Sequence, residues 1–409
     1  MLAYIIGVVL FALGIGIAVA LHEFGHMLTA KAFGMKVRRY FIGFGPKIFS
    51  FRRGGTEYGL KAIPAGGFCD IAGMTALDPV TDEEAPHAMW RYPTWKRVVV
   101  LCAGSITHFI LGFLILYFMA LTIGLVNTSD TPLVSGVSSC VSDVNLKTLG
   151  EQPCKAGAPA PAKDGGIQAG DKIISVAGHP TTTFSDVSAQ VQKSNGPTQF
   201  VIDRGGKQLT LTIDVAQVQG LTVAQQNAST PPTHLTQIGM IGVVPARYIP
   251  YNGITAIGGT VGYTGQMFEG VWAGIKQLPN KVPSLISAIG GAKRDVNSPM
   301  SVVGVSRLGG EAVQDSQWAL FWLLLATLQF FLGVFNLLPL LPLDGGHIAV
   351  ALYERVRDWL RQLRGRPAGG PVDYTKLAPL TLVVVFLGGA MVLLSVTADI
   401  VNPIGLKGQ

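Results

Sequence analysis

Two stretches near the start of this chain leave little choice of solvent. From Leu2 to Thr29 the only formal charge is Glu23, and from Val98 to Val126 there is none. Either run, coiled as a helix, is long enough to cross a hydrocarbon layer of about 30 Å. Further apolar runs at Trp318 to Leu341 and Leu377 to Ile400 bring the expected spans to four. Gly253 to Gly291 is apolar and Gly-rich but is broken by Glu269, Lys276, Pro279, Lys281 and Pro283, so an interfacial or partly inserted element is expected there. With 49% hydrophobic and 13% charged residues, the composition lies outside the soluble range. The chain reads as a polytopic integral membrane protein surrounded by lipid.

Orientation follows from the basic residues. The 31–97 connection holds eleven Lys/Arg against six Asp/Glu and 342–376 holds six against four, whereas the long stretch between the second and third spans is nearly balanced. Short basic loops stay on the cytoplasmic side. Both termini and the large central region are therefore expected outside. The net charge of +7 is mostly this topology signal, and without an aromatic-interleaved basic patch no nucleic-acid partner is expected. Met1-Leu2-Ala3-Tyr4 lacks a basic leader region, so the first span is expected to stay uncleaved. Cys69 and Cys102 fall on or near the inner side. Cys140 and Cys154 fall outside, where either a disulfide or two free thiols is compatible with the sequence.

Against this background 18-AVALHEFGHMLTAK-31 is unusual, because three ionisable side chains sit near the inner end of a span. Positions four apart share a helix face, so His22 and His26 can present two imidazole nitrogens to one metal ion. Glu23 then stands beside the metal, placed to take a proton from a water that the metal activates, as in HExxH zinc hydrolases. The alternative is a set of buried polar residues satisfied by neighbouring helices. The spacing within a charge-poor span favours Zn²⁺. Glu23 precedes Lys31, the first basic residue of the inner loop, by eight residues or about 12 Å of helix. The site is therefore expected inside the membrane, near its cytoplasmic face.

A tetrahedral catalytic zinc takes three protein ligands and leaves one position open. The third candidate is Asp344 in 336-NLLPLLPLDGGHIAV-350, which follows a span ending at the same leaflet as the first. The prolines and glycines around it allow irregular backbone where it lines a cavity. Capping the helix that begins there is the alternative role for Asp344, with ligation favoured. His347 is expected as a helix-start residue or a partner of a ligand, since a fourth protein ligand would close the site. His87, His179 and His234 are expected on the surface.

HEFGH in the first span, LDGG after a later one and a large extracytoplasmic insert together resemble the site-2 protease family of intramembrane zinc metalloproteases, most closely bacterial members with a single PDZ-type domain. The resemblance covers most of the chain. The segments 41-FIGFGPKIFSF-51 and 56-TEYGLKAIPAGGFCDIAG-73 resemble the family's membrane-associated β-hairpin region, with its Gly43-Phe44-Gly45 element and its Pro-x-Gly66-Gly67-aromatic turn. Residues 47–53 and 56–63 alternate about Gly54-Gly55, itself a hairpin signal. An edge strand beside the metal could hold a substrate extended, and a transmembrane helix must unwind before its carbonyls can be attacked. The alternative is a hairpin that only packs beneath the bundle.

In the insert, 165-GGIQAGDKIISVAGHP-180 resembles the core of bacterial PDZ domains, with Ile174 and Val176 expected inward and further strands at 198–203, 208–215 and 238–244. The resemblance implies either a sieve against substrates with bulky outer domains or a peptide binder. Asn336 matches a family Asn that contacts substrate backbone; oxyanion donation and an interhelical bond are the readings open to its amide. In 103-AGSITHFILGF-113 the chain departs from the family's Gly-x-x-x-Asn element: His108 stands where Asn is usual and Ser105 where Pro is common. His108 is expected to donate a hydrogen bond near the reaction, with inert packing or obstruction of the open metal position as alternatives.

The expected architecture is thus a polytopic α-helical membrane protein of about four transmembrane helices, with a membrane-associated β-hairpin region and an extracytoplasmic β-rich PDZ-like domain. Its expected segments are 1–33 and 95–126 as the first two spans, 34–94 as the hairpin loop, 127–250 as the PDZ-like domain and 251–316 as an interfacial linker. After these come 317–346 as the third span with its LDG motif, 347–376 as a cytoplasmic helix and loop, and 377–409 as the fourth span and tail. The expected function is zinc-dependent cleavage of the transmembrane segments of single-pass proteins, such as trimmed anti-sigma factors, in regulated intramembrane proteolysis. A metal-carrying chaperone or scaffold for transmembrane helices is the non-hydrolytic alternative. Nothing in the sequence signals an oligomeric state.

Overall fold

The computed structural model describes residues 1–75, 77–226, 232–295 and 297–406, with no side-chain description at Pro64 and Ala65. Residues 227–231 of the expected PDZ-like domain, Val296 of the expected linker and 407–409 of the expected tail lie outside the described residues. The chain forms two units, Met1–Met119 with Gly253–Gln409, and Ala120–Asn252. Its main helices are α1 (Leu2–Ala32), α2 (Thr94–Thr122), α3 (Phe184–Val191), α4 (Thr255–Ile289), α5 (Val302–Gln314), α6 (Trp318–Asn336), α7 (Asp344–Leu363) and α8 (Ala378–Val401). Among the described residues α1, α2, α6 and the segment Tyr374–Val401 are long and apolar enough to cross a membrane.

In the first unit, α1 and α5 approach backbone to backbone. A Cβ on Gly7 would fall 2.8 Å from Val313 Cβ and 2.9 Å from Gly310 Cα, and one on Gly309 would fall 2.6 Å from the Phe11 ring. Lipid offers no hydrophobic drive between helices, so such small-residue contacts supply the packing. The segment expected as an interfacial linker is largely helical: α4 runs through Pro279 and Pro283, and α5 is capped by Ser301, whose hydroxyl accepts from the Val303 and Gly304 amides. Too few large apolar residues mark α5 as buried, but its glycines do the packing. The α4–α5 connection is tied to the end of α8 by a buried ion pair, Arg294 Nη1 to Asp399 Oδ1 at 2.7 Å. Ser301 adds N–H and O–H bonds to Asp399 Oδ2. Most of the rest of α8 shows its apolar side chains outward, as a helix facing lipid does.

Between α1 and α2 lie β1 (Val37–Arg53) and β2 (Thr56–Ile71), joined through Gly54 and Gly55 at φ 58° and 76°. Each strand bends back on itself. Arg39 to Ile42 pair with Glu57 to Leu60 on one side and with Gly67 to Asp70 on the other, while Phe49 to Arg53 pair with Thr56 to Leu60. The result is four ribbons rather than one hairpin, with 67–71 along an edge. Gly43, at φ +86°, makes the first bend possible, because a Cβ there would meet the Lys61 carbonyl oxygen at 2.7 Å.

The second unit holds a five-stranded sheet of β3 (Lys172–Val176), β4 (His179–Pro180), β5 (Gly196–Arg204), β6 (Lys207–Gly220) and β7 (Thr236–Met240), in the order β4-β3-β5-β6-β7. Its core includes Ile173, Val176, Phe200, Ile202 and Ile213. The inward residues of β3 are Ile173 and Val176, not Ile174 and Val176, because a register shift between Ile173 and Ser175 breaks the alternation. Helix α3 opens with a capping box between Thr183 and Asp186. The backbone N–H bonds from Thr183 and Thr182 pull the Asp186 carboxyl down to about 2. Cys140 and Cys154 are joined in a disulfide, and His87, His179 and His234 are exposed.

Replacing Gly7 with Val should wedge α1 from α5 and cost about 1–3 kcal/mol. A clear drop in the thermal unfolding midpoint of the detergent-solubilised protein checks this, with Gly16→Val, where a Cβ meets nothing within 4 Å, as the neutral control.

Candidate active site

His22 and His26, one turn apart on α1, bring their Nε2 atoms to 3.1 Å. Asp344 Oδ2, from the start of α7, lies 3.3 Å from each. The His26 Nδ1–H donates to the Val100 carbonyl at 2.7 Å, which leaves Nε2 a lone pair directed at the cluster. An imidazole lone pair and a carboxylate oxygen repel at 3.3 Å unless a cation lies between them. Bonds of about 2.0–2.1 Å around a tetrahedral ion set neighbouring ligand atoms about 3.3–3.4 Å apart, close to the three observed separations. The residues fit zinc.

Glycines bring the three together. A Cβ on Gly104 of α2 would fall 2.4 Å from His26 Nε2 and 2.6 Å from His22 Nε2, and one on Gly25 would fall 2.7 Å from the Ala103 carbonyl oxygen. Gly345 and Gly346 do the same for Asp344: a Cβ on either would lie within 2.5 Å of backbone atoms of Leu337, Leu338 or Leu341. Leu343, not Asp344, occupies the cap position of α7, and no side-chain cap bond is made. The competition between capping and ligation therefore does not arise.

Glu23 stands outside the cluster of three, against the sheet. Its carboxylate accepts the Cys69 backbone N–H, and a Cβ on Gly67 would lie 3.2 Å from Glu23 Cγ. The Tyr40 hydroxyl donates to the Ala20 carbonyl at 2.8 Å, fixing the sheet to α1. Burial, with the Glu23 carboxylate next, pushes the Tyr40 phenol up to about 12, so it stays a donor. Burial likewise pushes the Cys69 thiol well up, which keeps it neutral. Phe44 stacks on Phe68 with ring centres 6.2 Å apart, and a Cβ on Gly66 would meet Phe44 Cε2 at 2.7 Å. Gly43-Phe44-Gly45 and Gly66-Gly67 thus form one patch whose edge runs past Glu23.

The model of the family described as Peptidase family M50 matches residues 10–377. The chain belongs to peptidase family M50. It is 46% identical over 410 residues to the zinc metalloprotease Rip1 of Mycolicibacterium smegmatis, with 98% of each chain covered. It is 45% identical over 406 residues to zinc metalloprotease Rip1 of Mycobacterium tuberculosis, covering 98% of this chain and 99% of the relative. The metalloprotease MmpA of Caulobacter vibrioides is 28% identical over 386 residues, covering 87% and 88%. With its four membrane-crossing helices, this M50 peptidase is a multi-pass membrane protein.

The remaining expected site residues fall into two groups in the M50 peptidase. Asn336 ends α6, half-buried, and its amide has no hydrogen-bond partner among the described residues, so the interhelical bond is not made. His108 is 2% exposed with its ring centre 5.0 Å from that of His22, but it lies outside the cluster of three. His347 turns to Tyr374, its Nδ1 3.2 Å from the phenol oxygen. Sequence reading met Gly104 as the glycine of the Gly-x-x-x-Asn-like element but missed the Val100 carbonyl and Gln329, which bonds His108. Gln329 carried a signal, as the one amide in the middle of an apolar span. A backbone carbonyl carries none.

Gly104→Val should displace both imidazoles and lower zinc affinity by at least about ten-fold, measured as metal retained per chain after dialysis against a weak chelator.

Proposed function

We propose that this M50 peptidase hydrolyses peptide bonds within the bilayer, in the transmembrane segments of single-pass membrane proteins. The observation that carries the reading is that Glu23, next in sequence to His22 of the His22–His26–Asp344 cluster, packs against Gly67 of the edge ribbon 67–71. His22, His26 and Asp344 would hold zinc, which when bound would supply Lewis acidity toward the scissile carbonyl and a water. Glu23 accepts the proton of that water as the new C–O bond forms and returns it to the amide nitrogen as the C–N bond breaks. The free edge at Gly66-Gly67, with Phe44 above it, holds the unwound substrate by main-chain hydrogen bonds. Asn336, whose amide has no partner among the described residues, would donate to substrate backbone or to charge developing on the carbonyl oxygen.

The basic 31–97 and 342–376 connections support a site near the cytoplasmic face, with both termini and the β-rich unit outside the cell. That unit, read as PDZ-like, acts as a sieve that admits substrates only after their outer domains are trimmed. A two-step release of a transcription factor from a single-pass anti-sigma factor fits such a device.

Glu23→Gln should keep its zinc and lose cleavage by about 10²–10⁴-fold, measured on a pre-trimmed single-pass substrate in cells with metal content assayed in parallel. Wild-type cleavage by Glu23→Gln with zinc bound would remove the base role. Gly67→Val should slow cleavage without loss of zinc. Deleting 130–245 should extend cleavage to untrimmed substrates; if these stay uncut, the sieve is wrong.

A further inference from the structure

Beside the cluster, the helical unit holds a polar pair that the chemistry above does not use. His108 on α2 and Gln329 on α6 are 2% and 0% exposed and meet at 2.7 Å between His108 Nδ1 and Gln329 Oε1. A carbonyl oxygen can only accept, so Nδ1 carries the hydrogen and the neutral ring keeps its lone pair on Nε2. His26 is prepared in the same way, with Nδ1–H donated to the Val100 carbonyl. The Gln329 NH₂ is buried and has no partner among the described residues. A buried amide that leaves these N–H bonds unmade is a poor choice for packing alone, where Leu or Met would serve better.

We propose that Gln329 is a positioning residue that locks His108 in the Nδ1–H tautomer, so that His108 meets the substrate as a hydrogen-bond acceptor at Nε2. The donor that every extended peptide brings is its backbone N–H, and this is the group His108 takes. The assignment revises the donor role expected of His108 from sequence: a ring held this way cannot donate to an oxyanion. It rests on the peptidase reading for its effect on rate, but not for the tautomer.

The two parts are tested separately. In zinc-loaded, full-length protein labelled with ¹⁵N-histidine in nanodiscs, with His108→Asn to assign the resonances, His108 should show a protonated Nδ1 and an unprotonated Nε2. Gln329→Met removes the acceptor at constant length, and Gln329→Asn withdraws the amide by one methylene; both should move the ring toward the Nε2–H tautomer. Both should also lower kcat at least about ten-fold at unchanged zinc content, with no further loss when combined with His108→Phe. Unchanged ring-nitrogen shifts in both variants would overturn the proposal. An equal loss of kcat in the His108→Phe background would do the same, since Gln329 would then act through packing. The ring-nitrogen reading needs no substrate, so a failure of the peptidase reading would show as absent cleavage with the tautomer result intact.

Discussion

The structure is organised around a repulsion. Two imidazole nitrogens and a carboxylate oxygen stand 3.1 to 3.3 Å apart in a part of the chain that is otherwise built for hydrocarbon, and with these ring nitrogens unprotonated only a cation makes that arrangement favourable. Much of the surrounding design keeps it from relaxing. The Val100 carbonyl holds one ring, and Gly25 and Gly104 let α2 press against both. The glycine pair after Asp344 lets the start of α7 lie against the end of α6. Each device acts through the closeness of backbones, which is also how α1 and α5 hold together without a hydrophobic drive between them.

Much of this was legible in the residues. Charge-poor runs of helical length are a strong signal, and the four runs correspond to four helices of membrane-crossing length among the described residues. The His22-Glu23-x-x-His26 spacing required only helix periodicity, and Asp344 only that the first and third spans end at one leaflet. Other features were hidden for physical reasons. Helix α5 is apolar in too few positions to announce burial, because its contacts are made by glycine. The fold-back of β1 and β2 into four ribbons depends on which strand comes to lie beside which, and alternation cannot report that. On β3 the inward set slipped by one residue at the register shift between Ile173 and Ser175.

The buried ionic groups divide by purpose. Arg294 with Asp399 ties the α4–α5 connection to the end of α8, and Arg97 with Glu354 at 2.7 Å ties the start of α2 to the middle of α7; in each, a missing partner would leave a charge stranded in an apolar surround. His22, His26 and Asp344 have no Lys or Arg partner among the described residues, so with the two rings neutral the carboxylate is left unbalanced. An incomplete electrostatic set, packed as tightly as the complete ones, is what separates a site from a fastening.

The edge ribbon at Gly67 has a consequence for what this enzyme can distinguish. A strand that bonds to another chain's backbone is nearly blind to side-chain identity, and glycines at the contact leave few pockets in which residues could be compared. If that edge clamps an unwound substrate as proposed, discrimination moves from letters to mechanics: among helices lying in the same bilayer, those that come apart most readily at the right depth would reach the ribbon first. Selectivity of this kind is a property of the ease with which a victim loses its own hydrogen bonds, and two sequences with nothing in common can share it.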